Sequence, residues 1–180
     1  DGAKYKSFET KEEATKAFEK GYEHYLKTAS SSKAAAGLTP KAPVGKPIWE
    51  SLCVDAACSG NPGDMEYRGV YPPTMQEIFR IGPLKKGTNN IGEFLALVHG
   101  LALLKQKGSS LPIYSDSRNA IGWVKKKKCK TLLERVPENE PIFDMIERAE
   151  KWLKTNTYTT PILKWETSEW GEIPADFGRK

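Results

Sequence analysis

Cysteine is scarce in this chain: three among 180 residues, an odd number at irregular spacing. That argues against a secreted disulfide scaffold and sets the expectation of a reducing, cytoplasmic setting. Histidine is scarcer, with His24 and His99 far from Cys53 and Cys58, so a zinc site is not expected. No apolar run approaches the ~20 residues that span a bilayer, and no signal-peptide pattern opens the sequence, so no membrane partner is expected. What is present suits a folded domain. Hydrophobic residues make up 38% and charged residues 28%, enough for a core and too apolar for a disordered chain. Lys+Arg 28 against Asp+Glu 23 leaves a net charge of +5. A basic excess of that size suits a polyanionic partner but does not by itself identify one.

Three pieces follow from the pattern. Residues 1–27 read as a strand and a helix: Ala3-Lys4-Tyr5-Lys6-Ser7-Phe8 alternates in period two, and Thr10 with Glu13 forms a capping box before Ala14, Ala17, Phe18, Tyr22 and Tyr25 at helical spacing. One strand and one helix cannot bury a core alone, so this piece is expected to be a fragment of a longer module. Residues 28–47 are small residues, Pro and Lys without an apolar period, a linker. From 48 to 180 a strand is expected over 48–55, further strands over 65–71 and 75–81, an apolar buried helix over 93–105, and a strand over 111–115. A helix leading into the lysine run, a helix over 141–153 and a last strand over 161–165 complete the pattern. Such an order predicts an α/β fold, a mixed sheet with helices packed against it.

Four acids stand at informative places. Asp55 and Asp116 are each expected to close a strand, where open α/β sheets bind ligands. Glu93 is expected to open the buried helix behind Thr88-Asn89-Asn90, which are capping residues. Asp176 follows a turn. Any one such acid is commonly a turn former. Converging together, they would repel one another without a cation, and oxygen ligands of that kind suit Mg²⁺.

The local sequences around these acids resemble type 1 ribonuclease H, over residues 48–180. Val54-Asp55-Ala56-Ala57-Cys58-Ser59-Gly60-Asn61-Pro62-Gly63 is similar to that family's first strand and glycine turn. Thr88-Asn89-Asn90-Ile91-Gly92-Glu93 is similar to its T-N-x-x-x-E helix opening, Tyr114-Ser115-Asp116-Ser117 to its Y-[ST]-D-S, and Gly171-Glu172-Ile173-Pro174-Ala175-Asp176 to its closing G-N-x-x-A-D. The resemblance implies a ribonuclease H-like fold with a five-stranded mixed sheet and helices on both faces. It implies an endoribonuclease that cuts the RNA strand of RNA–DNA hybrids, leaving 5′-phosphate and 3′-hydroxyl ends. Asp55, Glu93, Asp116 and Asp176 would bind two Mg²⁺ ions, with Mn²⁺ as a substitute, roughly 4 Å apart across the scissile phosphate. Cys58, Gly60, Asn61, Asn89 and Asn90 would meet the RNA strand, where reading 2′-hydroxyls separates RNA from DNA. Lys86, Thr88 and Asn139 would grip a DNA phosphate, and Lys125, Lys126 and Lys127 would form part of a basic protrusion on the DNA backbone. The protein is expected to act as a monomer. Residues 1–27 resemble the trailing half of the hybrid-binding domain that precedes some members.

Where the family carries a histidine ten residues before its last aspartate, this chain has Glu166, which the resemblance makes a substitute proton acceptor or metal ligand. Two rivals remain open at this level: a non-catalytic hybrid-binding protein, and a transposase or integrase on the same fold. Asp176-Phe177-Gly178 spells a kinase triplet, but the glycine-rich loop, strand lysine and catalytic loop of a kinase are missing.

Overall fold

The computed structural model describes residues 44–179, within a compact unit that spans Pro43–Lys180. The remnant expected over residues 1–27 and most of the expected linker lie outside the described residues. The strands are β1 (Leu52–Cys58), β2 (Gly63–Tyr71), β3 (Gln76–Gly87), β4 (Ile113–Ser115) and β5 (Ile162–Lys164). The helices are α1 (Asn89–Gln106), α2 (Arg118–Lys125), α3 (Glu140–Thr155) and the short α4 (Thr167–Trp170).

The sheet order is β3-β2-β1-β4-β5. β1 to β3 form an antiparallel meander, while β4 runs parallel to β1 and β5 parallel to β4. The near-continuous apolar run LCVDAAC is the signature of a strand buried on both faces, and β1 is accordingly central. Leu52, Val54 and Ala56 face a core shared with α1, α2 and α3. Cys53 faces the other way, into a smaller cluster with Val70, Tyr114, Trp165, Ile173 and Ala175, against which Trp170 of α4 packs. Helices therefore cover both faces, three on one and one short turn on the other.

α1 is apolar around most of its circumference, which is why it lies inside the domain rather than on its surface. It approaches β1 and β4 closely because two of its residues lack side chains. A Cβ at Gly92 would sit 2.7 Å from Ala56 Cβ, and one at Gly100 would sit 2.5 Å from Ile113 Cδ1.

Several boundaries differ from the sequence expectation. β1 continues past Asp55 to Cys58, because Ala56, Ala57 and Cys58 pair with Tyr67, Glu66 and Met65 of β2. Asp55 thus sits mid-strand rather than at a strand end. α1 starts at Asn89, with the Thr88 hydroxyl accepting the Ile91 N–H at 3.4 Å, so Glu93 lies a full turn inside the helix. β3 runs on past the expected end at residue 81, through Gly82-Pro83 to Gly87. An edge strand tolerates a proline that donates no ladder bond, and Gly82 (φ 112°) takes a left-handed conformation against Met65 and Glu66. The end of the expected linker also belongs to this unit, since Trp170 Nε1 donates to the Gly45 carbonyl at 2.8 Å; just after it, Ile48 N–H donates to the Tyr114 hydroxyl at 3.0 Å.

The tight α1–β1 contact makes a direct prediction. Gly92→Ala inserts a methyl against Ala56 and Met65, and overpacking of this kind costs about 1–3 kcal/mol. Urea unfolding should show that loss as a lower midpoint at unchanged slope. An unaltered midpoint would mean the helix start has room to shift.

Candidate active site

Four acids arrive at one cleft from four different places. Asp55 comes from the middle of β1, Glu93 from the second turn of α1, and Asp116 from the residue after β4, whose chain is turned by Ser117 capping α2 through the Ala120 N–H at 3.1 Å. Asp176 lies in an irregular segment after Ile173-Pro174-Ala175, outside any helix or strand. All four line a cleft of about 610 Å³ together with Ala56, Ala57, Cys58, Ser59, Asn89, Ser117, Phe177 and Arg179. Within it, one carboxylate oxygen from each of Asp55, Glu93 and Asp116 lies within 4.8 Å of the others. Asp176 shares the cleft but stands outside that tightest trio.

The electrostatics of this arrangement are unfavourable by themselves. Burial, together with the charges of Asp116 and Asp176, pushes Asp55 up to about 7, while hydrogen bonding to Glu93 and to the Ala56 backbone offsets part of the rise. Glu93 is driven well above the usual carboxylate range, first by burial and then by the Asp55 and Asp116 charges. Asn89 Nδ2 donates to Glu93 Oε1 at 3.4 Å, while Glu93 Oε2 is buried with no hydrogen-bond partner. Buried carboxylate oxygens are normally paired, so an orphan beside two other acids fits a hard cation accepted through oxygen ligands. The donors gathered here are all carboxylate oxygens, the ligand type that hard divalent cations take.

The residues expected to meet nucleic acid divide into groups. Cys58 and Asn89 line the cleft, with Gly60 and Asn61 on the turn that leads out of β1 and Asn90 beside Asn89 in the first turn of α1. The Cys58 thiol donates to the Gly87 carbonyl at 3.4 Å, which joins this turn to the end of β3. Lys86, Thr88 and Asn139 are gathered at the β3–α1 junction, but not as three free phosphate ligands. Asn139 is 1% exposed; its amide donates to the Lys86 and Glu134 carbonyls at 3.2 and 2.9 Å, and its oxygen accepts the Val136 N–H at 2.8 Å. In this structure Asn139 holds the junction together, and Lys86 Nζ pairs with Glu138 at 3.1 Å. Lys125, Lys126 and Lys127 are exposed at the end of α2. The run stops being free at Lys128, which pairs with the nearly buried Glu150 of α3 at 2.9 Å, and at Cys129, which is buried. Glu166 precedes α4, where its carbonyl accepts the Trp170 N–H at 2.9 Å; the cleft-lining residues do not include it.

Ser117, Phe177 and Arg179 also line the cleft, and sequence reasoning did not single them out. Ser117 could have been found as a helix cap. Phe177 and Arg179 follow the last acid in a stretch with no periodicity, and only the three-dimensional path of the chain brings them back.

A family model for RNase H matches residues 50–164. A ribonuclease H of Rhodopirellula baltica is 41% identical over 75 residues, which cover 41% of this chain and 46% of that protein. A ribonuclease H of Rickettsia bellii is 31% identical over 137 residues, 69% of this chain and 83% of that protein. The chain thus spans less than half the length of the first of these relatives. Among solved structures, the N-terminal RNase H domain of a Mycobacterium tuberculosis protein, fused to maltose-binding protein, superposes with a TM-score of 0.42 at 15% identity, over 66% of this chain and 89% of that one.

The acid cluster predicts how the cation-free protein responds to pH. An acid whose pKa is raised by folding stabilises the fold below its unfolded pKa and loses that contribution as pH rises through the folded one. In excess chelator the melting temperature should therefore fall as pH climbs from about 5 to about 8. Asp55→Asn removes the buried charge, so it should flatten that slope and raise neutral-pH stability by roughly 1–2 kcal/mol. Thermal melts across pH check both, and an Asp55→Asn slope as steep as the parent's would assign the effect to other groups.

Proposed function

Because the chain belongs to the type 1 ribonuclease H family, we propose that it is an endoribonuclease hydrolysing the RNA strand of RNA–DNA hybrids, with 5′-phosphate and 3′-hydroxyl products. The observation that carries this reading is the acid cleft itself: Asp55, Glu93 and Asp116 converging within 4.8 Å, with one buried carboxylate oxygen left without a partner. A protein that only bound a polyanion would gain nothing from concentrating negative charge where a phosphate must sit.

Asp55, Glu93, Asp116 and Asp176 would hold two divalent ions, Mg²⁺ with Mn²⁺ as a substitute. When bound, such ions activate the attacking water and stabilise charge on the departing 3′ oxygen. The chain's own contribution is to fix the four carboxylates before substrate arrives, so that little reorganisation accompanies the reaction. Cys58 at the end of β1 and Asn89 on the first turn of α1 line the cleft, with Gly60 and Asn61 on the turn after β1 and Asn90 next to Asn89. They would hold the RNA strand across it and read its 2′-hydroxyls. Thr88 and Lys86 would take a phosphate of the DNA strand, with Asn139 shaping the backbone beneath them. Lys125, Lys126 and Lys127 would rest on the DNA backbone without sequence preference. Since Glu166 does not line the cleft, no proton transfer is assigned to it here.

The test incubates the protein with labelled RNA–DNA hybrid, duplex DNA and duplex RNA, in Mg²⁺ and in chelator. The expected result is cleavage of the RNA strand of the hybrid, in Mg²⁺ only, with Asp116→Asn lowering turnover by about a thousandfold or more. Hybrid bound but left intact would make this a binding protein; nicking of duplex DNA would make it a transposase-like nuclease.

Salt dependence tests the lysines separately. Each phosphate contact contributes about −0.9 to the slope of log K against log salt on duplex DNA. Replacing Lys125, Lys126 and Lys127 with Ala should make the slope for hybrid binding shallower by about 1–3 and weaken binding alike on unrelated sequences. An unchanged slope would place the basic loop away from the nucleic acid.

A further inference from the structure

Three of the four acids ride on regular structure or on the residue that ends it. Asp176 does not, and yet it shares their cleft. What holds it is a set of arginines from the sheet. Arg68 of β2 stands opposite Asp55 in the β1–β2 register. Its Nε donates to the Ala175 carbonyl at 2.8 Å and its Nη2 to the Asp176 carbonyl at 2.6 Å, while Nη1 pairs with Glu77 of β3 at 3.2 Å.

Beyond Asp176 the chain is clipped a second time. Gly178 takes a left-handed φ of 68°, and its N–H donates to Asp176 Oδ2 at 3.0 Å. Arg179 then pairs with Glu66 of β2, a carboxylate only 4% exposed, whose other oxygen accepts Arg80 Nε and Nη2 at 3.0 and 2.7 Å. Between the two clips the Phe177 ring faces the guanidinium groups of Arg68, Arg80 and Arg179, at 4.9, 5.3 and 5.5 Å from its centroid.

Three guanidinium groups gathered around one ring would repel one another. A nearly buried carboxylate bridging two of them, and an aromatic face toward all three, offset that repulsion. The first clip holds the carbonyls of Ala175 and of Asp176 itself, and the second holds Arg179 three residues further on, so Asp176 lies in the segment between the two anchors. We propose that residues 175–179 form a strap, fastened by Arg68 before and by Glu66–Arg179 after, that sets the Asp176 carboxylate against the other three acids. Arg68, Glu66 and Arg179 are then positioning residues for cation binding. The inference rests on the reading above that the four acids hold the catalytic ions.

A loosened strap lets Asp176 drift, and a higher cation concentration is needed to gather the four acids. A general loss of stability would instead lower activity at every cation concentration. The test uses the full chain carrying Glu66→Gln, Arg179→Ala or Arg179→Lys, each also combined with Asp176→Asn. Two readouts apply: the Mg²⁺ dependence of hybrid cleavage, and Mn²⁺ binding by calorimetry without substrate. Glu66→Gln and Arg179→Ala should each raise the Mg²⁺ midpoint and weaken Mn²⁺ binding by about tenfold, with the midpoint moving more than the maximal rate. Arg179→Lys, which keeps a cation facing Glu66, should recover part of the loss. In the Asp176→Asn background, the same changes should leave Mn²⁺ affinity where Asp176→Asn alone puts it. The proposal is overturned if both variants match the parent in midpoint and affinity, or if their losses simply add to that of Asp176→Asn. Should the parent cleave nothing, the proposed function fails, while the Mn²⁺ titration still decides on the strap.

Discussion

Mutual repulsion of buried carboxylates is the constraint around which this domain is organised. Bringing Asp55, Glu93 and Asp116 within 4.8 Å inside a cleft opposes folding through both desolvation and like charge. The geometry survives because each acid is fixed by packing that does not depend on it. Asp55 is carried by the central strand, buried on both faces. Glu93 is carried by a helix whose Gly92 lets it lie against Ala56. Asp116 leaves a three-residue strand buried throughout, and its successor caps the next helix. The core thus supplies the stabilisation that the acid cluster withholds. A cation bound among the acids would remove the conflict, so under the proposed function mutations that relieve it would work against cation binding.

How far the sequence reveals this differs from residue to residue. The acids were legible because each stands in a short ordered signature: a strand and glycine turn for Asp55, a capped helix start for Glu93, and a strand-end triplet for Asp116. Their exact seats were not. Small apolar residues such as Ala56-Ala57-Cys58 have no marked strand preference, and only pairing with β2 extends β1 beyond Asp55. β3 runs past its expected end at residue 81 through Gly82-Pro83, and the edge position that permits it is a property of the assembled sheet. Asn139 shows the same limit. Its residue type suits a phosphate ligand, whereas its three hydrogen bonds to the backbone depend on the end of β3 at residue 86 meeting the loop that holds residues 134 and 136.

Charge of the two signs is arranged in layers. Negative charge lies deepest, in the cleft. Positive charge lies around it, with Arg68, Arg80 and Arg179 around Phe177 at one wall of the cleft and Lys125 to Lys127 exposed at the end of α2. The two positive groups differ in kind. The lysines are exposed and free to meet phosphates. The arginines are committed to carbonyls and to Glu66, whose carboxyl burial pushes up but whose two arginine partners hold below the usual range. Arginine charge on this side is paired with Glu66 and Glu77, so the two positive groups are not equivalent despite counting alike in the net charge of +5.

That division explains why arginine serves on one side and lysine on the other. A planar guanidinium donates along two directions at once, so Arg68 can hold two successive carbonyls and Arg80 can grip one carboxylate with two nitrogens. An ammonium on a flexible stem fixes nothing so narrowly, but it suits a phosphate whose position varies along a helix. In this chain the residue that holds a geometry is arginine, and the residue proposed to follow phosphates is lysine. The irregular segment carrying Asp176 acquires through side chains the rigidity that strands and helices give the other three acids.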